Sequence, residues 1–253
     1  MSKRIFQLLL VACLVTGALW AADDPFVGKW KLNPSKIKLT DEMKVTAVGA
    51  NKYVFDFGGG DPETIVADGT DQPGHFGTTL SVTVEGPRTW KVVSKQGGRT
   101  LVTAIWTLSS DGNTLNDDFR GRLNLNYVYK RTSAGSGFVG TWESTSEQVS
   151  SAVEIQIQPY EGDGLSFNTP GEHEIQNIRF DGKDYPDVGP HLPAGYAASG
   201  RRVNERTLEL TDKLDGKVLD TRQIRISSDL KTLTMTVHYV RRSSPNIRVF
   251  DRE

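Results

Sequence analysis

Cysteine is all but missing from this sequence: Cys13 is the only one in 253 residues, and it sits inside the N-terminal apolar run. A chain cut after that run has no thiol, so no disulfide supports it and no thiolate chemistry is open to it. Charge of one sign is missing too, with 30 Lys and Arg against 31 Asp and Glu and a net charge of −1. That balance argues against a broad basic surface for nucleic acid. Histidine is scarce, and none of His75, His173, His191 and His238 has a second histidine at metal-ligand spacing. There is no Gly-x-Ser-x-Gly elbow, and no Lys-Ser/Thr follows Gly58-Gly59-Gly60 to make a phosphate cradle. No stretch carries a helical period.

The first residues read as an export signal. Lys3 and Arg4 form a basic start, residues 6–19 are uncharged and mostly apolar, and Ala18, Ala21 and Ala22 offer small residues for cleavage after Ala21. The run is shorter than the ~20 apolar residues of a membrane span, so no stable span is expected in the mature chain. Leu10-Val11-Ala12-Cys13 looks like a bacterial lipobox, but the apolar run continues past it to Trp20. Secretion or release into the periplasm is the expectation, and lipid anchoring at Cys13 the alternative. Loss of residues 1–21 removes Lys3 and Arg4 and no acid, taking the net charge from −1 to −3.

What is present is a repeat. Phe26-Val27-Gly28-Lys29-Trp30 opens the first half, and Phe138-Val139-Gly140-Thr141-Trp142 opens the second. Arg88 to Leu115 aligns without a gap on Arg206 to Leu233, and Asp68-Gly69-Thr70-Asp71 corresponds to Asp181-Gly182-Lys183-Asp184. Each copy is long enough to be a domain rather than a stacking unit. The boundaries read as 1–21 signal peptide, 26–132 first barrel, 133–137 Ser/Gly-rich linker and 138–253 second barrel. Within each copy, short alternating segments separated by glycine turns predict eight or nine strands. Tyr53-Val54-Phe55-Asp56-Phe57 puts three aromatics on one face, and Leu80, Val82 and Val84 share another. The fold class is therefore all-β, as two tandem up-and-down antiparallel barrels, with one large shared sandwich as the alternative.

At Gly28-x-Trp30 and Gly140-x-Trp142 the chain resembles the lipocalins and related calycin barrels. It is similar in particular to exported bacterial lipocalin-like proteins, in which Gly-x-Trp-x-Leu-Asn, Asp-Gly-Lys-Asp-Tyr-Pro and Ser-x-Asp-Gly-x-Thr-Leu recur. The resemblance implies that the first-strand Trp packs under an Arg from the last strand, and Arg131 and Arg252 occupy that position in their repeats. The expected barrel closures are thus Trp30 with Arg131 and Trp142 with Arg252. The resemblance also implies non-covalent binding of a small, largely apolar molecule, without catalysis or cofactor. Strand alternation nominates Trp30, Phe55, Val82 and Trp106 as pocket residues in the first barrel, and Trp142, Ile155, Phe180 and Ile226 in the second. Each copy is shorter than most lipocalins and has no helix after it. A barrel filled by its own side chains, serving as a structural module or meeting a protein or glycan through its loops, is therefore the alternative.

Other chemistry is weakly marked. His75 and His191 follow the repeated turn and nominate a hydrolase base, although solvated loop histidines explain them equally well. Asp68 and Asp181 place paired carboxylates on tight turns without the oxygen spacing of a calcium loop. Asp117 and Asp118 are adjacent and so face opposite sides of a strand, which argues against their acting as a pair.

Overall fold

The computed structural model describes residues 24–58, 61–121, 124–150, 152–190, 192–240 and 242–253. The expected export signal and His191 lie outside the described residues.

Among the described residues, strand alternation and turn residues build an all-β fold of twenty strands. In the first half these are β1 (Gly28–Leu32), β2 (Glu42–Gly49), β3 (Lys52–Asp56), β4 (Glu63–Val66), β5 (Gln72–Pro73), β6 (Thr78–Gly86), β7 (Thr89–Gln96), β8 (Arg99–Leu108), β9 (Thr114–Arg120) and β10 (Asn124–Arg131). The second half repeats them as β11 (Gly140–Val149), β12 (Glu154–Tyr160), β13 (Gly164–Thr169), β14 (Glu174–Ile178), β15 (Tyr185–Pro186), β16 (Tyr196–Asn204), β17 (Thr207–Leu214), β18 (Lys217–Ile226), β19 (Thr232–Tyr239) and β20 (Asn246–Arg252). Neighbouring strands are antiparallel throughout. They form two sheets of ten strands, each rolled into a nearly closed barrel.

The sheets do not follow the two halves of the sequence. Barrel I has the order β4-β3-β2-β11-β10-β9-β8-β7-β6-β5, and barrel II the order β14-β13-β12-β1-β20-β19-β18-β17-β16-β15. Each half has given its first strand to the other. β1 lies between β12 and β20, with Trp30 opposite Ile155 and Arg252. β11 lies between β2 and β10, with Trp142 opposite Met43 and Arg131. Residues 133–137, expected as a linker between barrels, are instead part of the loop of the β10–β11 hairpin, whose strands pair from Arg131↔Trp142 to Leu125↔Val149. The exchange reaches the cores: Phe138 and Trp142 are buried in barrel I, and Phe26, Trp30 and Leu32 in barrel II.

The crossing between barrels is fixed by a turn. Asn33-Pro34 ends β1, and the Asn33 carboxamide accepts from the Ser35 amide at 3.0 Å as a short 3-10 turn begins. Lys38 then bridges Ile247 of barrel II, with N–H···O distances of 2.9 and 2.6 Å, before the chain enters β2.

The last gap in each barrel closes differently. In barrel II the Ile175 and Val188 backbones exchange hydrogen bonds of 2.8 and 2.9 Å. In barrel I the Gln72 carboxamide stands in for a strand, accepting from the Val66 amide at 2.8 Å and donating to the Val66 carbonyl at 2.7 Å. Both devices satisfy edge groups that would otherwise be open to another chain. Leu80 and Val82 are buried on their shared face, but Val84 is 48% exposed. The register shifts between Val84 and Gly86, where the strand has run past the core.

Candidate functional site

The floor of each barrel is an indole under a guanidinium. The Trp30 indole donates to the Phe26 carbonyl at 2.9 Å, and Trp142 donates to Phe138 at the same distance. Both indoles are fully buried. The expected partners are corrected by the strand exchange: Arg252 lies over Trp30 at 4.1 Å, and Arg131 over Trp142 at 4.3 Å. Each guanidinium also donates to carbonyls of the turns around it, Arg252 to Val27 and Leu230 and Arg131 to Gly112. This explains the glycine of Gly-x-Trp. Gly28 has φ +148° and Gly140 φ +144°, and a Cβ would stand 2.7 Å from Arg252 Nη1 or 2.9 Å from Arg131 Nη1.

Away from the floors the interiors are not filled. One cavity of about 780 Å³ draws its walls from both barrels, so the two interiors join. Its apolar lining includes Met43, Leu80, Val92 and Trp106 in barrel I and Ile155, Phe167, Met235 and Val237 in barrel II. Of the eight residues nominated from alternation, Trp106 and Ile155 line it. Trp30 and Trp142 belong to the floors. Phe55, Val82 and Ile226 are buried in the surrounding core, with Phe55 packed against Trp90 and Trp106 at ring separations of 6.3 and 6.0 Å. Phe180 is partly buried and carries the Arg202 guanidinium 4.7 Å above its ring.

The cavity walls also hold charge. In barrel I, Leu115, Asp117 and Phe119 share the inward face of β9, and Asp117 stands opposite Trp106 of β8 and Tyr127 of β10. Asp117 is 6% exposed, and its Oδ1 has no hydrogen-bond partner among the described residues. Burial pushes its carboxyl up to about 7, against the pull of the Trp106 indole and with a further push from Asp41. Asp41 accepts from the Tyr129 hydroxyl at 2.6 Å and pairs with Arg242 at 2.6 Å. Its carboxyl is raised by burial, and Arg242 opposes the rise. Arg242 comes from the β19–β20 loop of barrel II and also donates to the Phe57 carbonyl at 3.0 Å, tying the barrels together at the cavity.

In barrel II the charges form a network. Arg222 donates to Asp212 and, at 3.0 Å, to Gln176 Oε1, and its Nε lies 3.8 Å from Asp220. Gln176 donates to Asp187 at 2.6 Å, and Tyr196 to Asp212 at 3.2 Å. Burial opposes the Arg222 charge, but Asp212 and Asp220 outweigh it and hold the guanidinium pKa above its ordinary value. Burial pushes Asp187 up to about 7 and also raises Asp220.

Two of these acids carry a signal in the sequence that marks them as inward-facing. Asp117 alternates with Leu115 and Phe119, and Asp212 with Leu208 and Leu210, so both stand in phase with apolar residues. Asp41 and Arg242 lie on connections, and no pattern marks them.

The repeated turns use their own carboxylates. Asp68 accepts from the Thr70 amide at 2.9 Å, Asp181 from the Lys183 amide at 3.1 Å, and Lys95 pairs with Asp71 at 2.9 Å. Ser109 and Ser227 each donate to the Asp two residues on, at 2.5 Å in both repeats. His75 lines the cavity beside Glu63, whose Oε1 lies 3.7 Å from its Nε2 and accepts from its backbone amide at 2.7 Å. His173 adopts a left-handed turn with φ 56°, and His238 points outward from β19. No group of three or more metal-ligating side chains occurs among the described residues, and none of their helices is long and apolar enough to cross a membrane. No protein-family model and no curated protein sequence matches the chain.

Proposed function

We propose that this is an exported lipocalin-like protein that binds a small, largely apolar molecule non-covalently, in the cell envelope or outside it. The observation that carries the reading is the joined cavity, whose volume of about 780 Å³ falls within the roughly 300–1,000 Å³ of small-molecule sites. More than half of its walls are Leu, Val, Ile, Met and aromatic side chains, and the rest are chiefly carboxylates and guanidinium groups that can orient a ligand. The export part of the reading rests on Lys3, Arg4 and the apolar run to Trp20. The reading assigns no catalytic step and no cofactor. A structural module that meets a partner through its loops has no use for an interior void, because an empty cavity costs stability.

Native mass spectrometry of the protein purified from its own source tests the proposal. A small molecule carried through purification in about equimolar amount supports it. Apo protein that also fails to bind any member of a panel of apolar fluorophores overturns it.

A further inference from the structure

The cavity is unbalanced in charge. Among the described residues, eight carboxylate side chains line it against three guanidinium groups. The guanidinium groups of Arg222 and Arg242 are already engaged, the first with Asp212 and Gln176, the second with Asp41 and the Phe57 carbonyl, and the third, Arg248, acts on Asp220 and Tyr127. Asp117 is different. Among the described residues no arginine contributes to its electrostatic surroundings, where the charged neighbours are Asp41 and Asp118, both acids. It is nine-tenths buried, it lines the cavity, and its Oδ1 has no hydrogen-bond partner among the described residues, the Trp106 indole being the donor group that favours its charge. An ionised carboxylate held that way in an apolar wall is costly unless something cationic meets it.

Its neighbours indicate what meets it. Trp106 and Tyr127 stand directly across the ladder on either side, so the carboxylate is flanked by an indole and a phenol. The carboxylate attracts an ammonium group through its charge, and the two rings wall the seat on either side. Leu80, Val92 and Ala104 line the same cavity and suit an apolar body.

We propose that the ligand is an organic cation, an ammonium group on an apolar body, seated with its charge against Asp117 between Trp106 and Tyr127. The inference deepens the small-molecule reading above and rests on it.

Three probes with one apolar body and different head groups test it: dodecylamine, dodecanol and dodecanoate, each titrated calorimetrically below its micelle concentration at about pH 8. The wild-type protein is expected to bind dodecylamine about tenfold or more tighter than dodecanol, and dodecanoate most weakly. Asp117→Asn is expected to abolish the preference, bringing the dodecylamine affinity to that of dodecanol measured in the same variant. Asp118→Asn, altered next door on the outward face, keeps the wild-type order. Equal binding of the amine and the alcohol, or tightest binding of dodecanoate, overturns the cation and leaves the carrier reading standing. So does an amine preference that survives in Asp117→Asn. Failure of all three probes to bind overturns both. The wild-type comparison needs no variant, so the inference is exposed even if Asp117→Asn does not fold.

Discussion

Asp117 shows how a single side chain couples stability to a site. In the unfolded chain its carboxyl titrates at about 3.9, whereas burial in barrel I pushes it up to about 7. The folded state therefore holds the proton over that interval while the unfolded state has released it. Stability consequently falls as pH rises from about 4 to about 7. Asp187 and Asp220 are raised by burial as well and act in the same sense. Asp68, Asp111 and Asp229 are held low by their own turn hydrogen bonds and work the other way, but only below about pH 4. Asp117→Asn replaces the charge with a neutral group of similar shape. It is expected to stabilise the ligand-free protein by about 2–4 kcal/mol at pH 8 and to change little at pH 4.5. Urea denaturation at the two pH values checks this. Equal effects at both would show that Asp117 is not ionised against its surroundings in the fold.

Among the elements, strand identity was largely readable and strand partnership was not. Tyr53 to Phe57 and Thr100 to Leu108 alternate as strands, and both are strands with inward aromatics. The Gly-x-Trp segments and their terminal arginines were also readable, because the close approach of a guanidinium leaves no room for a side chain at Gly28 or Gly140. Which arginine meets which tryptophan was not readable. The two repeats offer β1 equivalent neighbours, and the choice is made by the path of residues 33–41 across to barrel I, which no local pattern encodes. The same holds for the cavity: Asp117 is visibly in phase with the core, but Asp41 and Arg242 meet only because two connections cross at the junction of the barrels. Barrel I's closure is another such feature, since one glutamine replaces a strand contact. Gln72→Leu removes both hydrogen bonds to Val66 and is expected to cost about 1–3 kcal/mol. Its local signature is faster hydrogen exchange at Val66, with the Ile175–Val188 closure of barrel II unaffected. Unchanged protection at Val66 would contradict the role given to Gln72.

At the scale of the whole molecule, the exchange of first strands turns two repeats into one interlocked body. Each barrel has a floor made from both halves of the chain, and the cavity between floors is shared. Neither half can lose its partner without losing a strand between two others. Cys13 is the only cysteine of the sequence and residues 24–253 have none, so introduced pairs there report strand partnership directly. Lys31 lies opposite Asp251 in the exchanged arrangement, and an unexchanged barrel would place it opposite Lys130. The most direct test is to join Lys31→Cys/Asp251→Cys and, separately, Lys31→Cys/Lys130→Cys with a short bifunctional thiol reagent in the folded monomer. The exchange predicts efficient intramolecular cross-linking of the first pair and none of the second, and cross-linking of the second pair instead would contradict it.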